Sequence, residues 1–170
     1  GCLSLYSLSI LSVFLITCLI TALALNTPIK ISAASPIEQT DSTRISPIFT
    51  REVQHWSADI VRWANAAFLD PNLVAVIMQI ESCGDPAARS SAGAMGLFQV
   101  MPFHFQIGEN GYNPETNALR GLNYLTRSLQ SANGNARLAL AGYNGGIGVI
   151  ARNEWNWHAQ TKRYVYYGAP

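Results

Sequence analysis

The sequence predicts a mostly α-helical domain, and three observations carry that expectation. Apolar residues recur three and four positions apart in one stretch after another. Asp70-Pro71 and Asn113-Pro114 each place a capping side chain before a proline suited to the first helical position. No segment sustains the period-2 alternation of a half-buried strand. With 170 residues there is room for one compact domain and an appendage.

The appendage comes first. Residues 2–25 hold no charged residue, and the run through Ile10, Leu11, Val13, Phe14, Leu15 and Ile16 belongs to an apolar stretch long enough to cross a bilayer, which takes roughly 20 residues. It reads either as a signal peptide, with Ala22-Leu23-Ala24 or Ser32-Ala33-Ala34 as the cleavage site, or as a retained transmembrane anchor. Under both readings the rest of the chain is exported. Residues 26–50, with Pro28, Pro36 and Pro47 among serines and threonines, read as a linker. The domain is expected over residues 51–170.

Its first helix is marked by Val53, Trp56, Ile60, Trp63, Ala64, Ala67 and Phe68, ending near Asp70. A second runs from Pro71 to about Cys83 and stops at Gly84. A loop rich in Ala, Ser and Gly follows to Gly96, then the short apolar piece Leu97-Phe98-Gln99-Val100-Met101, closed by Pro102. Asn113-Pro114 opens another helix, with Ala118, Leu122, Leu125 and Leu129 along one face, and Asn133-Gly134 ends it. Shorter helical stretches are expected around residues 136–141, 149–157 and 161–167.

Composition narrows the function. Charged residues make up 12% of the chain and the formal net charge is +1. There is no basic stripe, which argues against a nucleic-acid partner. Cys2 and Cys18 lie in the N-terminal segment, so Cys83 stands alone in the domain. That excludes a disulfide scaffold and makes Cys83 a small, part-buried side chain. His55, His104 and His158 are spaced unlike metal ligands, and Gly93 and Gly96 lack the context of a phosphate loop. No metal or cofactor is called for.

Glu81 is the most informative position. Met78, Ile77 and Val74 precede it by three, four and seven residues, so it lies on an apolar stripe. It also occupies the last turn of its helix, where the macrodipole disfavours an anion. Both effects raise a carboxyl pKa toward the value a general acid needs near neutral pH.

Glu81-Ser82-Cys83-Gly84-Asp85-Pro86, followed by Gly96-Leu97-Phe98-Gln99-Val100-Met101-Pro102, resembles the signature of lytic transglycosylases of the soluble-lytic-transglycosylase (SLT) type. Three further pieces agree in order. Asn113-Pro114-Glu115-Thr116-Asn117 with Gly121 and Tyr124-Leu125 is similar to the family's middle helix. Ala141-Gly142-Tyr143-Asn144-Gly145 is similar to its Ala-Tyr-Asn-Ala-Gly motif. Thr161-Lys162-Arg163-Tyr164-Val165 is similar to its closing segment. The resemblance spans roughly residues 54–168.

It implies a compact, lysozyme-like helical domain with a substrate cleft, here preceded by the N-terminal hydrophobic helix and linker. It implies Glu81 as the catalytic acid/base, with Ser82 helping to hold it or the substrate. Gln99 and Met101 would line the sugar cleft, Tyr143 and Asn144 the catalytic subsite, and Tyr164 would face the glutamate. The chain departs from the pattern at Gly142 and Gly145, which replace alanines and are expected to loosen the loop. Gln160 stands where a glutamate is frequent, and Phe98 where methionine is.

The implied partner is the glycan strand of peptidoglycan, outside the cytoplasm, with membrane anchoring through residues 2–25 as one of the two readings above. The implied reaction cuts the β-1,4 bond between N-acetylmuramic acid and N-acetylglucosamine and leaves 1,6-anhydromuramoyl ends. A muramidase of goose-type-lysozyme character would instead need a second carboxylate to activate water, and Asp85 is the one nearby in sequence. A non-catalytic wall-binding module would need neither.

Overall fold

A computed structural model describes residues 44–169. The hydrophobic segment 2–25 and residues 26–43 lie outside the described residues. Within them there are six α-helices: α1 (Arg51–His55), α2 (Ser57–Ala67), α3 (Pro71–Ser82), α4 (Pro114–Ser131), α5 (Ala136–Gly145) and α6 (Ala159–Gly168). No strand forms among the described residues; two isolated antiparallel bridges, Arg89 with Met95 and Met95 with Val100, fold the loop after α3 back on itself. The mostly helical expectation holds. No helix among the described residues is long and apolar enough to cross a membrane.

Residues 44–50, read from the sequence as the end of the linker, fasten to the domain. Ile45 is buried. The Ser46 amide donates to Asn72 Oδ1 at 2.7 Å, and Gln54 Nε2 donates to the Ser46 carbonyl at 2.7 Å.

The single helix expected over residues 53–70 is broken at Trp56. The break lets the Trp56 indole donate to the Gly84 carbonyl at 2.9 Å and stack on Trp63, with ring centroids 6.1 Å apart. Gly84 is required there. Its φ is +82°, and a Cβ would stand 2.9 Å from the Glu52 carbonyl oxygen. Helix α2 ends in a left-handed residue, Phe68, and the Asp70 carboxylate caps α3 by accepting from Asn72 N at 2.7 Å.

Helix α3 is the central post. Val74, Ala75, Ile77 and Met78 are fully buried in one hydrophobic cluster with Ile60 and Ala64 of α2, Leu125 of α4, Leu140 of α5 and Val165 of α6. Burying a side chain of this size contributes about 1.5–3 kcal/mol, so this cluster fixes where the end of α3 points. Cys83, expected to be part-buried, is exposed. It is the left-handed C-cap of α3, with φ +53°, and its thiol turns back to the Gln79 carbonyl at 3.3 Å.

Helix α5 packs between α4 and α6 and runs four residues beyond the expected stretch. Gly142 and Gly145 lie inside it and do not loosen a loop. A Cβ on Gly142 would meet Ile150 Cδ1 at 2.7 Å, and one on Gly145 would meet Thr161 Oγ1 at 2.7 Å. These glycines let the following segment close on the helix. Residues 149–157, expected to be helical, form only the 3₁₀ turns Ile147–Val149 and Glu154–Asn156. The segment is held instead by the buried Trp157, whose indole donates to the Val149 carbonyl at 3.0 Å.

Candidate active site

The last turn of α3, the N-terminal half of α6 and the C-terminal end of α5 converge on Glu81. Its carboxyl is partly buried, and loss of hydration pushes its pKa from 4.5 up to about 7 against the opposing pull of the Tyr164 hydroxyl. At neutral pH such a group is divided between acid and carboxylate, so it can give a proton and take one back.

Tyr164 is buried on α6. Its hydroxyl completes no hydrogen bond in the structure, yet it stands close enough to the Glu81 carboxyl to lower that group's pKa as a donor. Tyr143, on α5, donates its hydroxyl to the Phe98 carbonyl at 2.8 Å. Both phenols are pushed well above their ordinary pKa, first by burial and then by the charge of Glu81, and remain neutral donors.

Asn144 follows Tyr143 at the end of α5. Its Oδ1 accepts from Thr161 Oγ1 at 3.1 Å, and Thr161 is itself buried on α6. This fixes the amide and leaves its nitrogen without a protein partner among the described residues.

The cleft is built from two cavities that share Asn144. One, of about 460 Å³, is lined by Ile80, Glu81, Gln160, Arg163, Tyr164 and Tyr167. The other, of about 210 Å³, is lined by residues including Gln99, Met101, Phe103, Tyr124 and Tyr143. Glu81 is the one carboxylate lining either. Glu81, Gln99, Met101, Tyr143, Asn144 and Tyr164 therefore come together along one groove.

Ser82 does not line it. The Ser82 hydroxyl donates to the Leu97 carbonyl at 2.8 Å and accepts the Gly84 amide at 3.1 Å, tying the loop to the end of α3. Gln99 shares that bracing work. Its φ is +45°, and its Nε2 donates to the carbonyls of Ala88 at 3.1 Å and Gly96 at 3.0 Å. Asp85 is exposed and lies outside both cavities, with a carboxylate oxygen accepting the Ala87 amide at 2.8 Å.

Asn117, the last residue of the Asn113–Asn117 motif, has a role that the sequence alone does not assign. It is fully buried on α4. Its Oδ1 accepts the Phe98 amide at 2.8 Å, and its Nδ2 donates to the carbonyls of Met95 at 2.7 Å and Gly111 at 2.8 Å. The available signal was a polar residue directly before Ala118 on the apolar face. Gly121, one turn on, leaves room for Phe98, where a Cβ would stand 2.7 Å from the Phe98 Cβ.

A helical domain with one high-pKa carboxylic acid in an elongated groove is the architecture of the lysozyme-like enzymes. Residues 60–165 match the transglycosylase SLT domain, and the chain belongs to that family. It is 42% identical over 98 residues to the transglycosylase of Enterobacteria phage PRD1, covering 56% of this chain and 35% of the phage protein. It is 30% identical over 87 residues to the membrane-bound lytic murein transglycosylase E of Buchnera aphidicola subsp. Acyrthosiphon pisum (strain APS), covering 44% of this chain and 39% of that protein. Among solved structures it resembles an inactive glutamate-to-glutamine mutant of lytic transglycosylase Slt from Pseudomonas aeruginosa. That match has a TM-score of 0.57 and 27% identity, over 65% of this chain and 22% of that one. The chain thus spans less than two-fifths of each curated relative it matches.

Proposed function

We propose that this domain is a peptidoglycan lytic transglycosylase that cuts the β-1,4 bond between N-acetylmuramic acid and N-acetylglucosamine, with Glu81 as its single acid/base. The observation that carries this reading is Glu81 itself: a carboxyl group with a pKa of about 7, alone among the groove-lining carboxylates. Protonated Glu81 gives its proton to the glycosidic oxygen as the bond to the muramoyl C1 breaks. The substrate's N-acetyl oxygen holds the cationic C1. The Glu81 carboxylate then takes the proton of the muramoyl C6 hydroxyl, whose oxygen closes on C1 and forms the 1,6-anhydro ring. Positioned acid–base catalysis contributes roughly 10²–10⁴-fold, so groove binding must supply the rest.

Tyr164 tunes Glu81, the Asn144 amide suits an N-acetyl carbonyl, and Met101 and the tyrosine faces suit sugar rings. Ser82 and Gln99 act through the loop they brace. A muramidase would need a second carboxylate at the groove, and the position of Asp85 gives that reading no support. Names of relatives agree: both curated relatives are named as transglycosylases, and a glutamate-to-glutamine mutant of the solved one is inactive. Residues 2–25 would serve export or anchoring, placing the domain at the wall outside the cytoplasm.

Digesting purified peptidoglycan and weighing the muropeptides tests the reading. Anhydro ends, lighter by one water than reducing ends, are expected. Reducing ends would make the protein a muramidase, and no release would leave a binding module. Glu81→Gln should abolish release in a folded protein.

A further inference from the structure

Trp155, Tyr166 and Tyr167 lie on or just before α6 and are 84%, 75% and 67% exposed. Lys162 and Tyr166 are four residues apart on this helix, as are Arg163 and Tyr167, so the two pairs stand side by side on its outer surface. The Tyr166 and Tyr167 rings meet edge to face, with centroids 5.4 Å apart. Lys162 reaches back to Trp155: its Nζ donates to the Trp155 carbonyl at 2.8 Å and stands 5.4 Å from the centre of the indole. The Trp155 amide donates to Asn153 Oδ1 at 2.9 Å. The indole is thus held by its main chain and by a cation on one face, and the other face is open to solvent.

Tyr167 ties this surface to the groove, because it also lines the Glu81 cavity. Trp155 and Tyr166 line neither groove cavity. Small molecules favour concave sites, whereas exposed rings beside a groove suit a chain that lies across them. An indole and two phenols pair flat apolar faces with polar edges, which matches a pyranose with its C–H face and hydroxyl rim. The exposed aliphatic and phenyl side chains, Ile48, Phe68, Phe103, Ile107 and Leu119, lie on other parts of the chain. The surface therefore lacks the side chains that carry an amphipathic helix into a bilayer.

We infer that Trp155 and Tyr166, continued by Tyr167, form a second saccharide platform outside the groove, on which a glycan strand leaving the Glu81 cavity lies by its sugar faces. The platform holds the domain to the wall and takes no part in bond cleavage. This rests on the proposed substrate and not on the proposed reaction.

The chain supplies its own reporter. Of its four tryptophans, Trp56, Trp63, Trp155 and Trp157, none lines either groove cavity. Emission from Trp155 therefore senses the platform rather than the groove. Titrating whole-chain Glu81→Gln protein with soluble glycan strands, stripped of peptides by an amidase, should shift tryptophan emission, and Trp155→Phe should remove the shift. Strands that bind without a Trp155-dependent shift, or that do not bind, overturn the inference. A Trp155-dependent shift with phosphatidylglycerol vesicles and none with strands overturns it in favour of a lipid surface.

In otherwise active protein, Trp155→Ala combined with Tyr166→Ala should raise KM on long strands about five- to tenfold, the scale of lost ring stacking. Turnover number on long strands, and both constants on fragments short enough to lie within the groove, should change by less than about twofold. Trp155→Tyr should recover part of the loss in the single Trp155→Ala variant. An equal loss on long and short substrates, or no loss, overturns the inference. A Trp155-dependent shift with strands supports it even where the wild-type protein forms no anhydro ends, which would sink only the proposed reaction. Anhydro ends without that shift overturn the inference alone.

Discussion

The Tyr164 hydroxyl and the Glu81 carboxyl oppose each other's titration. The phenol pulls the glutamate pKa down from the height that burial alone would set, and the glutamate charge pushes the phenol further up. Removing the hydroxyl with Tyr164→Phe therefore raises the Glu81 pKa above about 7. The basic limb of the kcat–pH profile should move to higher pH, because the reaction starts from protonated Glu81. A profile that does not move would show that Tyr164 does not tune Glu81.

Glu81 also makes stability depend on pH. Its folded pKa of about 7 lies above the unfolded value near 4.5, so folding favours the protonated form. The contribution is fully present below about pH 4.5 and is lost as pH rises through 7. The interval corresponds to at most roughly 3 kcal/mol. Glu81→Gln, neutral at every pH, should melt above the wild type at pH 8 and close to it at pH 4. Thermal unfolding at both pH values reads this directly.

Asn117→Ala leaves the Phe98 amide and the Gly111 carbonyl without their side-chain partner, and takes one of two donors from the Met95 carbonyl, which keeps the Val100 amide. Each buried polar group left unpaired costs about 1–3 kcal/mol, so a loss of several kcal/mol is expected in chemical denaturation. A loss below about 1 kcal/mol would mean that water replaces the side chain without penalty.

Gly145→Ala tests the latch on Asn144. The substitution gains up to about 1 kcal/mol of helix propensity, while its methyl displaces Thr161, whose hydroxyl holds Asn144. Stability should change little, and glycan cleavage should fall roughly tenfold or more, as expected for a misplaced positioning group. Full activity would separate Asn144 from the reaction.

The site was legible wherever chemistry and local pattern coincide. Glu81 on its apolar stripe, the Asp70 and Asn113 caps and the stop at Gly84 follow from the order of residues along one helix. Features that depend on a distant partner were not legible. The break at Trp56 exists because an indole reaches the Gly84 carbonyl across the fold. Gly142 and Gly145 look like flexibility in a string of letters, and only the approach of Ile150 and Thr161 reveals them as spacers. The motif match singled out Ser82 without showing that its hydroxyl is spent on Leu97 and Gly84. Asn117 was visible as a match, but its three hydrogen bonds join segments up to 22 residues apart.

Leu97, Phe98 and Val100 anchor the loop between Glu81 and Met101 in the core, and the polar contacts that shape it fall mostly on its main chain. Ser82 takes the Leu97 carbonyl, Gln99 those of Ala88 and Gly96, Asn117 the Met95 carbonyl and the Phe98 amide, and Tyr143 the Phe98 carbonyl. Clamps on peptide groups are blind to the identity of the side chains between them. The exposed letters of this loop, such as Ala87, Arg89, Ser91 and Ala92, are thus free to drift or be rewritten while the groove wall keeps its shape. That makes the loop a natural place to graft new contacts for a different wall chemistry without disturbing the acid beneath it.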